Sequence, residues 1–106
     1  MAGWLETYRG AVMPWECDVV EHLTVAYYFE RFGDANLALM EHVGLGRTYH
    51  EEQGKAVAAV HCHVRFREEL RSGDVLHLES GILGVEGKAV RMGHRVVNSA
   101  TGAVTT

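Results

Sequence analysis

An aspartate and a histidine stand four residues apart in a short polar segment, at Asp18 and His22. Directly after them, from about Thr24, the chain takes on the apolar periodicity of a helix. A carboxylate placed there can attack a carbonyl carbon or activate a water molecule. The free N–H groups and dipole of a helix start favour negative charge, so the amides of Leu23, Thr24 and Val25 could hold a developing oxyanion. The alternative role for Asp18 is structural, as a cap for backbone amides before the helix.

The helix that would position this segment has a single apolar stripe. Thr24 is a candidate N-cap through its hydroxyl, and Gly44 is a candidate left-handed terminator. About twenty residues would give roughly 30 Å of helix, the central element of the fold. The residues of the stripe recur at three- and four-residue steps: Val25, Tyr28, Phe29, Phe32, Ala35, Asn36, Leu39 and Val43.

Strand patterns lie on both sides of the helix. Residues 6–12 alternate loosely, and Pro14 ends that strand because proline cannot donate to a sheet ladder. Residues 60–67 alternate strictly, which predicts a strand with one buried and one polar face. Three turns then separate strands at 75–85 and 89–98 and the beginning of another at 103–106.

The resulting order is β-α-β-β-β-β, which is typical of an α+β fold. An antiparallel sheet with one apolar face needs a cover, and the helix is the only candidate, so we expect a sheet wrapped around one long helix. The 106 residues fit one domain, residues 1–106. Because a domain this small buries only about 60–65% of its unfolded surface, we also expect it to oligomerise.

Composition excludes several classes of function. The chain is 47% hydrophobic and 23% charged, as in soluble globular proteins, and its formal net charge of −4 argues against nucleic acid or anionic membrane as partners. No apolar run approaches the roughly 20 residues that span a bilayer. With two cysteines and no secretory signal pattern in residues 1–9, the expected location is cytoplasmic.

Two histidines on one face of a predicted strand, His61 and His63, have the spacing of a two-histidine metal clip. His77 and His94 fall on nearby strands, but the sequence places no third ligand. An ordinary polar strand face or a subunit contact explains the pair better, so we expect no metal.

The segment around Asp18 resembles a known family. Asp18, three residues, His22 and then a helix with an early tyrosine, Tyr28, are similar to the hotdog-fold acyl-CoA thioesterases of the 4-hydroxybenzoyl-CoA thioesterase type. Residues 64–74, which end in Gly-Asp, resemble that family's second strand and turn, and residues 94–102 its late hairpin. The similarity extends over nearly the whole chain.

This resemblance implies a hotdog fold and hydrolysis of an acyl-CoA thioester to a carboxylic acid and CoA, without a cofactor. It implies a homodimer, or a dimer of dimers (a homotetramer), with active sites across the interface. Asp18 would be the nucleophile or general base, and His22 would orient the loop or bond near the carbonyl. Tyr28 would line the acyl pocket; Trp15 would pack in the core or line the same pocket. Candidate cations for the CoA phosphates, none of them assigned, are Arg65, Arg67, Arg71, Lys88 and Arg91.

Three features depart from the family pattern. The family's glycine before the histidine is Glu21 here, and its asparagine two residues after the histidine is Thr24. The last strand is expected to be truncated, with only residues 103–106 present. These departures favour the alternative of a catalytically silent acyl-CoA-binding or assembly module. An enoyl-thioester hydratase is a weaker alternative, because its proline between aspartate and histidine is absent.

Overall fold

The computed structural model describes residues 3–106, which form an antiparallel sheet and two α-helices, so the predicted α+β class is confirmed. The strands are β1 (Leu5–Ala11), β2 (Val75–Glu86) and β3 (Ala89–Asn98), in the spatial order β1-β2-β3. The helices are α1 (Val25–His42) and α2 (Arg47–Gln53), and a 3₁₀ turn, Pro14–Glu16, follows β1. Within residues 3–106, no helix is long and apolar enough to cross a membrane.

The central strand, β2, pairs antiparallel with both neighbours and presents its apolar face to α1. Leu76 and Leu78 of β2 and Val96 of β3 are fully buried there, as the two-residue period of a strand requires. The β1–β2 register shifts between Glu6 and Tyr8, so that one extra residue sits in β1 as a bulge. The core therefore lies between one face of the sheet and α1.

Helix α1 covers the sheet and begins and ends close to the predicted residues. Thr24 is its N-cap residue, but the hydroxyl makes no capping hydrogen bond. The Thr24 carbonyl instead accepts from the N–H groups of Tyr27 and Tyr28. Gly44 follows the helix with φ 84°, a left-handed conformation that glycine adopts without strain, so its terminating role is confirmed.

The strand predicted at residues 60–67 is wrong, and helix α2 was not predicted. Residues 54–67 have no regular secondary structure, and Val60 is 91% exposed. Alternation alone cannot make a strand, which needs a neighbour to bond its backbone. In the part of the chain that the structure describes, the backbone hydrogen bond made by residues 60–67 runs from the Arg67 N–H to the Thr105 carbonyl. The strand expected at 103–106 is reduced to one bridge, between Val104 and Val97.

Candidate active site

The segment between β1 and α1 closes as a tight hairpin around Asp18 and His22. The Asp18 N–H donates to the His22 carbonyl at 3.1 Å, and the Glu21 N–H donates to the Asp18 carbonyl at 2.9 Å. Glu21 has φ 65°, so a left-handed residue completes the loop. This is the pattern of a three-residue hairpin loop, in which the residue before the closing position is usually glycine. The departure at Glu21 therefore occupies a position where a side chain is strained.

The side chain of Asp18 lies at the surface, beside an open cavity. Its Oδ1 atom accepts from the Val20 N–H at 3.0 Å, so the capping role considered for this residue is present in the structure. One carboxylate oxygen is thus held by the turn. The cavity has a volume of about 380 Å³ and is lined by Pro14, Cys17, Asp18, Glu21, Arg71 and Ser72. The Asp18 side chain is therefore exposed at the cavity.

The His22 side chain pairs with Glu69 and not with Asp18. Its Nε2 atom lies 3.0 Å from Oε2 of Glu69, and the ring is about one-fifth exposed. The backbone of His22 forms a bridge with Arg71. Across residues 3–106, no hydrogen bond joins the side chains of His22 and Asp18. The structure therefore brings the two residues together through their backbones, and Glu69 orients the imidazole.

The backbone amides expected to form an oxyanion site are not equally free. The Leu23 N–H donates to the Leu70 carbonyl at 2.8 Å, and the Thr24 N–H donates to the Glu16 carbonyl at 2.9 Å. None of the backbone hydrogen bonds within residues 3–106 uses the N–H of Val25, the first residue of α1. Of the three candidates, Val25 is the one whose amide remains available at the positive end of the helix dipole.

The two aromatic candidates lie in different environments. Tyr28 is 4% exposed and belongs to the core, where its ring is 5.0 Å from that of Phe66. Burial raises its pKa above the ordinary value. Trp15 is 73% exposed on the 3₁₀ turn beside the cavity. Neither side chain is among those that line the cavity at Asp18.

A buried ion pair, which the sequence analysis did not identify, ties this segment to α1. Nη2 of Arg31 lies 2.8 Å from Oε1 of Glu16, and both side chains are at least nine-tenths buried. The hydrogen bond from Arg31 holds the pKa of the Glu16 carboxyl below its usual range. One signal was available: at about 100° per residue, Arg31 is only about 60° from Tyr28, within the apolar face of the helix. A cation there must find a buried partner.

A second polar cluster crosses from the sheet to α1. The Ser80 hydroxyl lies 2.5 Å from Nδ1 of His94 and 2.8 Å from the Thr7 hydroxyl. Nε2 of His94 lies 2.5 Å from Oδ1 of Asn36. Burial lowers the pKa of His94, which favours its neutral form. The cluster is part-buried between the sheet and α1, and none of its four residues lines the cavity at Asp18.

The histidine pair considered as a metal clip lies in the irregular segment. His61 and His63 are both exposed there. In the part of the chain that the structure describes, no three histidine, cysteine, aspartate or glutamate side chains are grouped closely enough to bind a metal ion. A further cavity, of about 450 Å³, lies where α1 and α2 meet, and its lining includes Leu37, Met40 and Val57. The lining is largely apolar but also includes the titratable side chains of Glu41 and His50.

Solved structures share this architecture. A Staphylococcus aureus protein solved in complex with CoA superimposes with a TM-score of 0.84 at 18% identity, covering 96% of this chain and 65% of that one. A 1,4-dihydroxy-2-naphthoyl-CoA thioesterase from Synechocystis superimposes with a TM-score of 0.79 at 14% identity, covering 97% of this chain and 75% of that one. At such identities the likeness defines the fold, a hotdog-type α+β fold, as the family resemblance implied.

The sequence comparisons give the family. Residues 12–106 match the model of the thioesterase-like superfamily, and the chain belongs to this family. A betainyl-CoA thioesterase from Pseudomonas aeruginosa is 30% identical over 98 residues, which are 92% of this chain and 62% of that protein. The chain thus spans less than two thirds of that relative's length. The family resemblance noted around Asp18 is confirmed.

Proposed function

We propose that this protein hydrolyses an acyl-CoA thioester to a carboxylic acid and free CoA. The observation that carries the proposal is the exposed Asp18 carboxylate beside an open cavity, in a hairpin that leads directly into α1. Membership of the thioesterase-like superfamily supports the reaction type. The CoA bound to the Staphylococcus aureus protein of the same fold supports CoA as the thiol portion of the substrate.

In the proposed mechanism, Asp18 acts as general base. Its carboxylate takes a proton from a water molecule whose oxygen bonds to the thioester carbonyl carbon. The Val25 N–H, at the start of α1, donates to the oxyanion that forms. The carbon–sulfur bond then breaks, and the CoA thiolate leaves and takes up the proton. Direct attack by Asp18 would give an acyl anhydride that water then cleaves, with the same products.

The other members of the proposed site have supporting roles. His22, held by Glu69, orients the hairpin at its closing position. Arg71 lines the cavity beside Asp18, so it is the best placed of the candidate cations for a CoA phosphate. Trp15 and Tyr28 remain proposals as walls of an acyl pocket. The scheme uses no metal or cofactor.

The acyl group is proposed from the relatives. Because the Pseudomonas aeruginosa relative is a betainyl-CoA thioesterase, betainyl-CoA belongs first in a substrate panel, followed by short, aromatic and long acyl-CoAs. We propose a homodimer or a dimer of dimers as the working assembly, since a domain of this size is marginal alone. A cytoplasmic location is proposed from the cysteine content.

The deciding experiment is free-thiol release from this panel by the wild type, Asp18→Asn and a matched control, Asp34→Asn. Asp34 is an exposed aspartate on α1. We expect Asp18→Asn to lose about 10²-fold or more in kcat, the usual contribution of a positioned acid or base, while Asp34→Asn stays close to wild type. Turnover unchanged in Asp18→Asn would remove Asp18 from the mechanism.

One observation favours a second candidate, a catalytically silent acyl-CoA-binding or assembly module. Glu21 holds a strained backbone position and adds a negative charge to the cavity next to Asp18. A negative charge there would oppose the anion that forms in the reaction. Such a module would bind acyl-CoA in calorimetry and release no thiol from any member of the panel.

A further inference from the structure

The buried guanidinium of Arg31 contacts three elements at once. Nη2 donates to the Ala11 carbonyl at 3.0 Å and to Oε1 of Glu16 at 2.8 Å, and Nη1 donates to the Tyr27 carbonyl at 3.0 Å. These acceptors belong to the end of β1, the 3₁₀ turn and the first turn of α1. The guanidinium also lies over the ring of Tyr8, 5.7 Å from its centroid. One side chain therefore joins the two ends of the segment that carries Asp18.

The partner of Arg31, Glu16, is itself fixed at two further points. Its Oε1 atom accepts from the Met13 N–H at 2.9 Å, and its carbonyl accepts from the Thr24 N–H at 2.9 Å. Glu16 is two residues before Asp18, and Thr24 directly precedes the free amide of Val25. The contacts of Glu16 thus hold both groups proposed to act on the thioester.

A gain in stability does not by itself account for the buried ion pair of Arg31 and Glu16. Removing two charges from water is costly, and a buried ion pair often contributes no more than apolar packing of similar volume. Nε of Arg31 is also buried without a hydrogen-bond partner among residues 3–106. What the pair does provide is geometry, because each of its bonds has a defined direction and length.

We propose that Arg31 and Glu16 are positioning residues, which set the distance between the Asp18 carboxylate and the Val25 amide. The proposal rests on the proposed function in one respect, that these two groups act on the thioester. A displacement of about 1 Å at a reacting group can lower a rate by about 10²-fold. Loss of the pair should therefore reduce kcat by more than the unfolded fraction explains, with little change in KM. Removing one partner should also lower stability, because it leaves the other group buried and unpaired.

The variants are Glu16→Gln, Arg31→Met and Arg31→Lys, and the controls are Glu6→Gln and Arg9→Met. Glu6 and Arg9 form an ion pair at 2.6 Å on β1, but both side chains are about half exposed. We expect Arg31→Met to lower kcat by about 10²-fold with KM within about threefold. Arg31→Lys should recover part of kcat, since an ammonium keeps the charge but cannot reach all three acceptors. The controls should stay within about twofold of wild type, as exposed pairs usually do.

Amide hydrogen exchange gives a readout that does not depend on turnover. In Glu16→Gln, the N–H groups of Asp18, Glu21 and Thr24 should exchange faster, while those in the β2–β3 ladder should not change. Unchanged exchange in the hairpin, or a kcat loss that only follows the unfolded fraction, would overturn the proposal. Faster hairpin exchange in Glu16→Gln, together with a wild type that hydrolyses no thioester, would support the role of the pair in holding the hairpin and would overturn the proposed function instead. Should Arg31→Met fail to fold, Glu16→Gln and Arg31→Lys decide the question.

Discussion

Nε2 of His94 lies 2.5 Å from Oδ1 of Asn36, a part-buried hydrogen bond that joins the sheet to α1. An amide oxygen can only accept, so His94 carries its proton on Nε2. Nδ1 then accepts from the Ser80 hydroxyl, which in turn accepts from Thr7. This chain of bonds suits a neutral imidazole, and a second ring proton would require both hydroxyls to turn around.

Protonation of His94 should therefore destabilise the protein. Because its folded pKa is lowered, the unfolded chain binds more protons as pH falls below about 6.5, the ordinary value for histidine. The contribution of neutral His94 to the free energy of unfolding is therefore fully present above that pH. It is lost as the pH falls through the lowered pKa of the folded state. We expect the Tm of the wild type to fall between pH 7.5 and 5.5 more steeply than that of His94→Gln. His42→Gln, an exposed control at the end of α1, should keep the wild-type slope; equal slopes in all three would contradict the prediction.

Replacing Glu21 with glycine should relieve strain. A left-handed conformation costs about 1–2 kcal/mol for a residue with a side chain, and glycine loses about 0.5–1 kcal/mol of chain entropy in return. Glu21→Gly should thus be neutral or up to about 1 kcal/mol more stable in urea unfolding. Glu30→Gly, on the exposed face of α1, should be about 1 kcal/mol less stable. Equal losses in both variants would show that Glu21 is not strained.

The hydroxyl of Thr24 should contribute little to stability. Removing a threonine that caps a helix usually costs about 1 kcal/mol, but this hydroxyl makes no capping bond. Thr24→Ala should lower the free energy of unfolding by less than about 0.5 kcal/mol. Thr7→Ala removes a hydroxyl that bonds Ser80, and should cost about 1–2 kcal/mol. A loss at Thr24 as large as that at Thr7 would mean that the hydroxyl does cap α1 in solution.

Arg71 should affect binding of the nucleotide part of the substrate. If its guanidinium meets a CoA phosphate, Arg71→Gln should raise KM by about tenfold or more and leave kcat nearly unchanged, as loss of one charged hydrogen bond predicts. Thioesters of pantetheine lack the phosphates, so the variant should handle them like the wild type. A matched control is Arg91→Gln on β3, away from the cavity lining. An equal rise in KM for the pantetheine thioester would place Arg71 at the acyl end instead.

How closely each element of the fold could be predicted depends on whether the interactions that form it are local in sequence or distant. Helix α1, its glycine terminator and strands β2 and β3 depend on local periodicity and turn residues, and they were predicted closely. Residues 60–67 alternate as well as any strand, but strand formation depends on a neighbour that alternation cannot supply. Short helix α2 lacks an apolar stripe and has no buried residue, so it gave no periodic signal.

The residues of the candidate site likewise separate into those that local spacing predicts and those that depend on distant contacts. Asp18 and His22 were found because their spacing is visible along the chain. Glu16 and Arg31 were missed because 15 residues separate them and only the folded backbone brings them together. The sequence also gave no sign that the N–H groups of Leu23 and Thr24 donate to backbone carbonyls. For this reason only Val25 remains of the three candidate oxyanion amides.

The geometry of the hairpin at Asp18 also restricts the number of residues that this loop can contain. One residue more or fewer between Asp18 and His22 would break the three-residue loop, in which the Asp18 N–H bonds the His22 carbonyl, and would shift the pairing of Cys17 with Leu23. A one-residue shift in pairing turns side chains to the opposite face, so the buried side chain of Leu23 would be displaced from the core. Substitutions at Val19 and Val20, both exposed, should be absorbed far more easily than any change in loop length. In this part of the protein, length is under tighter physical control than side-chain identity.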